Sequence, residues 1–173
     1  MQVQQLSPSE YDESSAYYLA LVPEGNLLDL LDQSWLETIE FFRNIPAEKH
    51  DHRYALDKWT VKDVLQHLID VERIFAYRAL RFARGESQPL CGFDVDDYGA
   101  AQRAGRRTMD NLLEEYSLNR QSTRQLFQSF DEEMLLAAGV ASEVDFSVRA
   151  LGFKLIGHDR HHCEVIRERY LDQ

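Results

Sequence analysis

The chain has 173 residues, 44% of them hydrophobic and 28% charged, which suits one globular domain spanning residues 1–173 that buries its core without disulfides. Its formal net charge of −11 repels phosphate backbones and anionic lipids, so nucleic-acid and membrane partners are disfavoured. No segment approaches the roughly 20 apolar residues of a membrane span, and the N-terminus lacks the basic start and apolar stretch of a signal peptide, so we predict a cytoplasmic protein.

The first half of the chain contains two segments with the periodicity of amphipathic helices. The first extends from about residue 24 to 44, with apolar side chains recurring at three- and four-residue steps. The second begins after Thr60, which suits an N-cap, and ends at Gly85. We predict a loop between these helices, and this loop contains His50 and His52.

The second half repeats this organisation. Turn residues in 86–100 predict a connecting loop, and a third helix is predicted from about residue 97 to 130. Residues 131–147 are predicted to form a short helical turn and a crossover, and the fourth helix covers about 148–170. Helices of this length, each with one apolar face, predict an all-α fold: a four-helix bundle with long crossover connections.

Histidines on two of these helices point to a metal site. On the fourth helix His158 and His162 are four residues apart, so they share a face with Leu151 and Leu155. Two neutral imidazoles buried without partners are costly, and a divalent metal removes that cost. The third candidate ligand is His67, on the apolar stripe of the second helix. Three histidines and water make an open site of the catalytic kind, suited to zinc, nickel or another late first-row metal.

Other ligand sets are geometrically possible on the fourth helix. His161 lies about 100° around the helix from its neighbour, so a pair of His158 and His161, or competition from Asp159 or Glu164, stays open. We prefer the pair with His162 because the apolar neighbours run through both of its members. His161 is then placed at the bundle edge, as a residue that supports a ligand or belongs to an interface. The spacing also occurs by chance, and packed core histidines without metal are the plain alternative.

The sequence contains no motif of another known catalytic site, and its cysteines and clustered arginines are predicted to be structural. The chain has no Glu-x-x-His pair, no HExxH helix and no glycine-rich phosphate loop. Neither Cys91 nor Cys163 belongs to a CxxC pair, and both are predicted to be buried, reduced thiols. A run of arginines interleaved with apolar residues is predicted to be a solvated helix face and not a nucleic-acid site; its members are Arg73, Arg78, Arg81 and Arg84.

Three segments resemble a known family when they are taken together and in order. They are "KWTVKDVLQHLIDVERIFAYRALRFARG", "GFDVDDY" and "IGHDRHHCEVIRERYL". In these segments, and over about residues 54–171, the chain resembles the DinB superfamily, in particular its YfiT-like branch.

The resemblance implies both a fold and a site. Families of this type are four-helix bundles that bind a metal through one histidine of the second helix and two of the last. Position by position these are His67, His158 and His162, the same three that the apolar stripes select. The resemblance also implies zinc or nickel, water at open coordination positions and frequent homodimers. Its characterised relatives include bacillithiol S-transferases and mycothiol-dependent maleylpyruvate isomerase, and others are described as metal-dependent hydrolases.

Two classes of function follow. The first is an enzyme, a thiol S-transferase or a hydrolase, with a small-molecule substrate and, for the transferase, a low-molecular-weight thiol as co-substrate. The second is a non-catalytic metal- or small-ligand-binding bundle or dimerisation module, in which Asp159 or His161 closes the site as a fourth ligand. No catalytic acid or base is identified. A homodimer is expected, and Tyr11, Tyr17 and Tyr18 suit its interface if exposed.

Overall fold

The computed structural model describes residues 1–171. Its helices, in chain order, are α1 (Glu13–Ala20), α2 (Leu27–Arg43), α3 (Val61–Ala83), α4 (Val95–Ala101), α5 (Met109–Gln128), α6 (Glu132–Leu136) and α7 (Val148–Ile166). An antiparallel hairpin of two short strands, β1 (Ala138–Ala141) and β2 (Val144–Ser147), precedes α7. The long helices α2, α3, α5 and α7 form the bundle, which confirms the predicted fold class.

The order of the helices around the bundle explains its long connections. Helix α3 packs mainly against α5 and α7, and α2 packs mainly against the same two helices. Helices α2 and α3 are therefore diagonal neighbours, and so are α5 and α7. A chain that passes from one helix to its diagonal neighbour must cross the end of the bundle. The segments 44–60 and 129–147 make these crossings, as the predicted crossover connections require.

The start and end of α3 follow the predicted signals. The hydroxyl of Thr60 accepts a hydrogen bond from the Asp63 N–H, and the Asp63 carboxylate accepts one from the Thr60 N–H. This reciprocal pair satisfies two N–H groups that the helix itself leaves free. At the other end Gly85 has a φ of 79°, a left-handed conformation in which glycine is not strained.

The predicted third helix, 97–130, is interrupted. Helix α4 ends at Ala101, Arg103 has a left-handed φ of 54°, and α5 begins only after Thr108, whose side chain accepts from the Asn111 N–H. The break places Ala104 in the core, fully shielded from solvent. The prediction of one continuous helix is wrong because the apolar periodicity begins only at α5, and the residues before α5 show no such periodicity.

Sequence periodicity also missed α1 and the hairpin. The strands have four residues each, too few for an alternating pattern to stand out. Their connecting residues, Ser142 and Glu143, have φ values of 55° and 65°, as in a two-residue turn that matches strand twist. The hairpin buries Ala141 and Phe146 against the bundle, so the crossover is part of the core.

The core consists of two apolar clusters separated by a buried polar layer. One cluster contains Leu31, Val71, Phe127 and Ile156, and the other, towards the opposite end of the same four helices, contains Ile39, Leu65, Leu112 and Ile166. Between them lie buried polar side chains from all four long helices: Ser34, Thr38, His67, Glu72, Arg120, Thr123, His158 and Asp159. Within residues 1–171, no helix combines the length and the apolar character needed to cross a membrane.

Two predicted exposures are wrong. Arg78, predicted on a solvated face, is 4% exposed, because the segment before α4 and the hairpin turn cover the end of α3. Cys91, predicted to be a buried thiol, is exposed. Cys163 is half-buried, and burial raises the pKa of its thiol to about 12. The burial of Arg78 comes from contacts with segments that are distant in the chain, at Cys91 and Ser142.

Candidate metal centre

Three imidazoles converge at the level of the polar layer. The Nε2 atoms of His67 and His162 each lie 3.1 Å from Nε2 of His158. The ring centres are 4.9 Å apart for His67 and His158, 4.9 Å for His67 and His162, and 4.5 Å for His158 and His162. The structure therefore brings together the three side chains that the sequence selected as candidate ligands.

The convergence has a local cause and a tertiary cause. On α7, His158 and His162 stand one turn apart on the same face, as the spacing requires. Helices α3 and α7 pack directly against each other, and this contact brings His67 to the pair. Neither helix by itself contains the three donors.

The spacing of the three nitrogen atoms fits a metal ion. Nitrogens that bind one ion at about 2.0–2.1 Å are separated by about 2.8–3.4 Å in tetrahedral or octahedral geometry. The two Nε2 separations of 3.1 Å fall within that range, and candidate donor atoms of all three residues lie within 4.8 Å of one another. Three imidazole nitrogens are a donor set that suits late first-row divalent metals.

The electrostatics keep these imidazoles neutral. Burial, helped by His161, lowers the pKa of His67 to about 4. Burial, followed by repulsion from the neighbouring imidazoles, lowers the pKa of His158 and His162 well below the usual value. At neutral pH each ring keeps a free lone pair, which is the state that binds a metal.

Aromatic side chains surround the three rings. The Trp59 ring centre lies 4.8 Å from that of His67, and the Tyr18 ring centre lies 5.5 Å from that of His158. Gly99 of α4 approaches Trp59 so closely that an added Cβ would lie 2.7 Å from the indole Nε1, so α4 covers Trp59. His67 and His158 are buried, and His162, which is half-buried, is the most exposed of the three.

The alternative ligands lie elsewhere. His161 Nδ1 forms a hydrogen bond of 3.2 Å with the Tyr17 hydroxyl. The Asp159 carboxylate accepts from Arg120 at 2.7 Å, within the polar layer, and the exposed Glu164 pairs with Arg167. Among residues 1–171, the group of side chains close enough to share an ion contains only the three histidines.

Two further side chains near the centre were missed from the sequence. Tyr18 belongs to a helix that periodicity did not reveal, and its backbone oxygen would lie 1.9 Å from a Cβ added to Gly157. Lys154 lies on α7, and its charge contributes to lowering the pKa of His158. Its position four residues before His158 was the available signal, since that spacing places both on one face.

Comparisons with known proteins agree with this architecture. A family model of the DinB superfamily matches residues 30–166. Among solved structures, the chain is similar to YfiT from Bacillus subtilis, described as a probable metal-dependent hydrolase with an unusual four-helix bundle topology. The TM-score is 0.73 at 14% sequence identity, and the match covers 82% of each chain. A search of curated protein sequences finds no match.

Proposed function

The chain belongs to the DinB superfamily, and from this premise we propose that it is a metal-dependent enzyme that acts on a small molecule at His67, His158 and His162. The observation that carries the proposal is the convergence of three neutral imidazoles from two helices, with Nε2 separations of 3.1 Å. The similar structure of YfiT, described as a probable metal-dependent hydrolase, supports the same class of activity.

The metal in this proposal is zinc or nickel, since imidazole nitrogens suit both. A bound ion of this kind lowers the pKa of a coordinated water or thiol and polarises a substrate carbonyl. The three histidines leave coordination positions for such a group, because no fourth donor joins them in the described part of the chain. If the coordinated group is water, the enzyme is a hydrolase. If it is a low-molecular-weight thiol, the enzyme is a thiol S-transferase.

The chain's own residues hold and shield the reacting groups. Burial keeps the histidines unprotonated, so their lone pairs stay available at neutral pH. Trp59 and Tyr18 exclude water from the flanks of His67 and His158. In this proposal substrate approaches from the side of His162, because His162 is the least buried of the three histidines.

A non-catalytic binding bundle is the second candidate. The fourth ligand expected for it from the sequence is absent among the described residues, since neither Asp159 nor His161 joins the three histidines. What favours it is that the Asp159 carboxylate, adjacent to a candidate ligand, accepts hydrogen bonds from Arg120, Ser34 and Tyr116 within the polar layer. A carboxylate used in that way does not serve as a general base at the metal. Turnover separates this candidate from the enzyme.

The first experiment is elemental analysis of protein purified without a histidine tag. We expect about one zinc or nickel ion per chain, and at least a tenfold loss of metal affinity in His67→Ala, His158→Ala and His162→Ala, because two imidazoles make a weak site. His161→Ala is the matched control on the same helix and should retain the metal. Wild-type protein without stoichiometric metal would leave the histidines as packed core groups.

The second experiment measures turnover by the metal-loaded protein. Consumption of a thiol with an electrophilic substrate is compared with hydrolysis of activated esters and amides, in wild type and His162→Ala. We expect one of the two activities, and its loss in the variant. Thiol consumption that is unchanged in His162→Ala would contradict the transferase, and metal binding without either activity would favour the binding bundle.

A further inference from the structure

Lys154 lies on the same face of α7 as the candidate ligands His158 and His162. It precedes His158 by four residues, as His158 precedes His162, so the three side chains lie on one face. Its Nζ lies 4.8 Å from the ring centre of Phe146 and 5.2 Å from that of Phe75. Aromatic faces therefore surround this ammonium group. Among the described residues no hydrogen bond or ion pair to Nζ is present.

Arg78 on α3 is a second cation in the same surroundings. Its guanidinium lies 5.8 Å from the Phe75 ring centre and 5.7 Å from that of Phe93. Nη2 donates to the Cys91 carbonyl oxygen at 3.2 Å and to the Ser142 hydroxyl at 2.7 Å. Both acceptors are neutral, and in the described chain no carboxylate lies within ion-pair distance of Arg78. The Phe75 ring is in contact with both cations.

The local charges do not balance. Burial lowers the pKa of Lys154 to about 8; the charge of Asp12 opposes this change, and the charge of Arg78 adds to it. Asp12 is not within ion-pair distance of Lys154, and its carboxylate hydrogen-bonds Ser14 and Ser15 at the start of α1. Two cations and one carboxylate that lies beyond ion-pair distance leave about one positive charge without compensation. An unpaired positive charge in a partly buried position is costly unless an anion pairs with it.

We propose that Lys154 and Arg78 bind the carboxylate of a small, largely apolar substrate. The apolar part of this substrate lies against Phe75, Phe93 and Phe146. The single excess positive charge matches a monoanionic carboxylate and not a phosphate dianion. Charge-assisted hydrogen bonds from both cations would orient it.

The position of this subsite relates it to the histidines. Four residues of α-helix separate Lys154 from His158 along the axis by about 6 Å. The Tyr18 ring is in contact with both, with centre distances of 5.8 Å to Lys154 Nζ and 5.5 Å to the His158 ring. A carboxylate held by Lys154 therefore places the next few atoms of the substrate near the three imidazoles. This last step rests on the proposed function, whereas the carboxylate site itself does not.

The test is an NMR titration of the full-length, zinc-supplemented protein with sodium benzoate, its neutral isostere benzamide, and phenyl phosphate. We expect benzoate to bind at least about tenfold more tightly than benzamide, since hydrogen bonds between charged partners are stronger than those to a neutral amide. Lys154→Met should weaken benzoate binding about tenfold or more and leave benzamide binding unchanged. Lys154→Arg should retain most of the affinity for benzoate.

A matched control changes net charge elsewhere. Arg43→Met removes one positive charge from the exposed end of α2 and should leave benzoate binding unchanged. Equal binding of benzoate and benzamide, equal binding of benzoate to wild type and Lys154→Met, or tighter binding of phenyl phosphate would each overturn the proposal. So would a lower melting temperature in Lys154→Met than in Lys154→Arg, because the lysine would then be a structural cation held by the rings.

The outcomes separate this proposal from the metal-dependent enzyme. Protein that binds no zinc but binds benzoate in a Lys154-dependent manner would contradict the enzyme and support the carboxylate site. Protein that binds zinc at the histidines but does not distinguish benzoate from benzamide would contradict the carboxylate site alone. Benzoate binding retained in the His162→Ala variant would support a site made by the cations, and loss of binding there would indicate direct ligation to the metal and overturn it.

Discussion

At the scale of single residues, the environment decides what each histidine of the α7 cluster does. His158 and His162 share the α7 face that meets α3, whereas His161 turns towards α1 and forms a hydrogen bond with Tyr17. A step of one residue rotates a side chain by about 100° around a helix. Neighbouring residues of the same type therefore reach different partners, and the preferred pairing of His158 with His162 agrees with the face that packs on α3.

Lys154 carries a pH-dependent cost that can be measured. Burial lowers its pKa to about 8 in the folded protein, below the ordinary lysine value of 10.5, so the folded state binds its proton less tightly than the unfolded state does. Between about pH 8 and 10.5 the unfolded state holds more protons, and the free energy of unfolding therefore rises with pH. Below pH 8 both states are protonated and the full cost is present.

We predict that wild type gains about 1–2 kcal/mol relative to Lys154→Met between pH 7.5 and 10. One pKa unit corresponds to about 1.4 kcal/mol, and partial exposure of the amine reduces the effect. Urea denaturation of both proteins at the two pH values measures this difference, and other titrating groups cancel in the comparison. A difference that does not change with pH would contradict the burial of a charged amine.

At the scale of elements, the site depends on how closely α1 and α7 approach. A Cβ added to Gly157 would lie 1.9 Å from the Tyr18 backbone oxygen, so only glycine permits this contact. The contact places Tyr18 against His158, and it joins two elements that are far apart in the chain. Helix α1 was not predicted because its eight residues bury little and show no marked apolar stripe.

We predict that Gly157→Ala displaces α1 and lowers the free energy of unfolding by about 2–3 kcal/mol, as overpacking at a tight contact does. The helix propensity of alanine should recover no more than about 1 kcal/mol. Denaturation curves measure the loss, and faster hydrogen exchange in residues 13–20 locates it. Gly105→Ala is the control, because nothing lies within 4 Å of its added Cβ, and a similar loss there would contradict this explanation.

At the scale of the whole molecule, the buried polar layer joins all four long helices. Arg120 of α5 forms ion pairs with Glu72 of α3 at 2.9 Å and with Asp159 of α7 at 2.7 Å. It also donates to the Ser34 hydroxyl of α2 at 3.1 Å. Burial raises the pKa of Glu72, the charge of Asp159 adds to this rise, and Arg120 opposes it. Since Asp159 adjoins His158, the layer also fixes the register of α7 at the candidate metal centre.

We predict that Arg120→Met destabilises the protein by about 3–5 kcal/mol, because it leaves two buried carboxylates without a counter-charge. The control Arg124→Met removes a more exposed partner of Asp32 and should cost less than about 1 kcal/mol. Urea denaturation compares them. In Arg120→Met the loss should diminish as the pH falls and the carboxylates become neutral, and equal losses in both variants would contradict the argument.

Several properties of the assembled protein stay predictions. The cytoplasmic location and the homodimer are expected from sequence and resemblance. Tyr17, one of the proposed interface tyrosines, is 56% exposed, whereas Tyr18 is half-buried beside the histidines. Light scattering of the purified protein measures the oligomeric state directly.

Local sequence patterns alone were enough to predict the positions of the long helices and the candidate ligands on them. Amphipathic periodicity located the four long helices, Thr60 and Gly85 located the ends of α3, and the four-residue spacing in α7 selected its pair of histidines. These features depend on contacts within a few residues, whose geometry the helix repeat specifies.

Only the tertiary structure decided what lies around those features. Three features depend on which segments are neighbours. They are the convergence of His67 with His158, 91 positions away, the burial of Arg78 under the hairpin turn, and the ion pair of Arg120 with Asp159. Helix periodicity shows that a face is buried but does not show against what, because the packing partner is chosen by the whole core and by the crossovers. For this reason the sequence of each helix was enough to select its candidate ligands. The side chains that surround these ligands, on which their function depends, come from other elements and were known only from the tertiary structure.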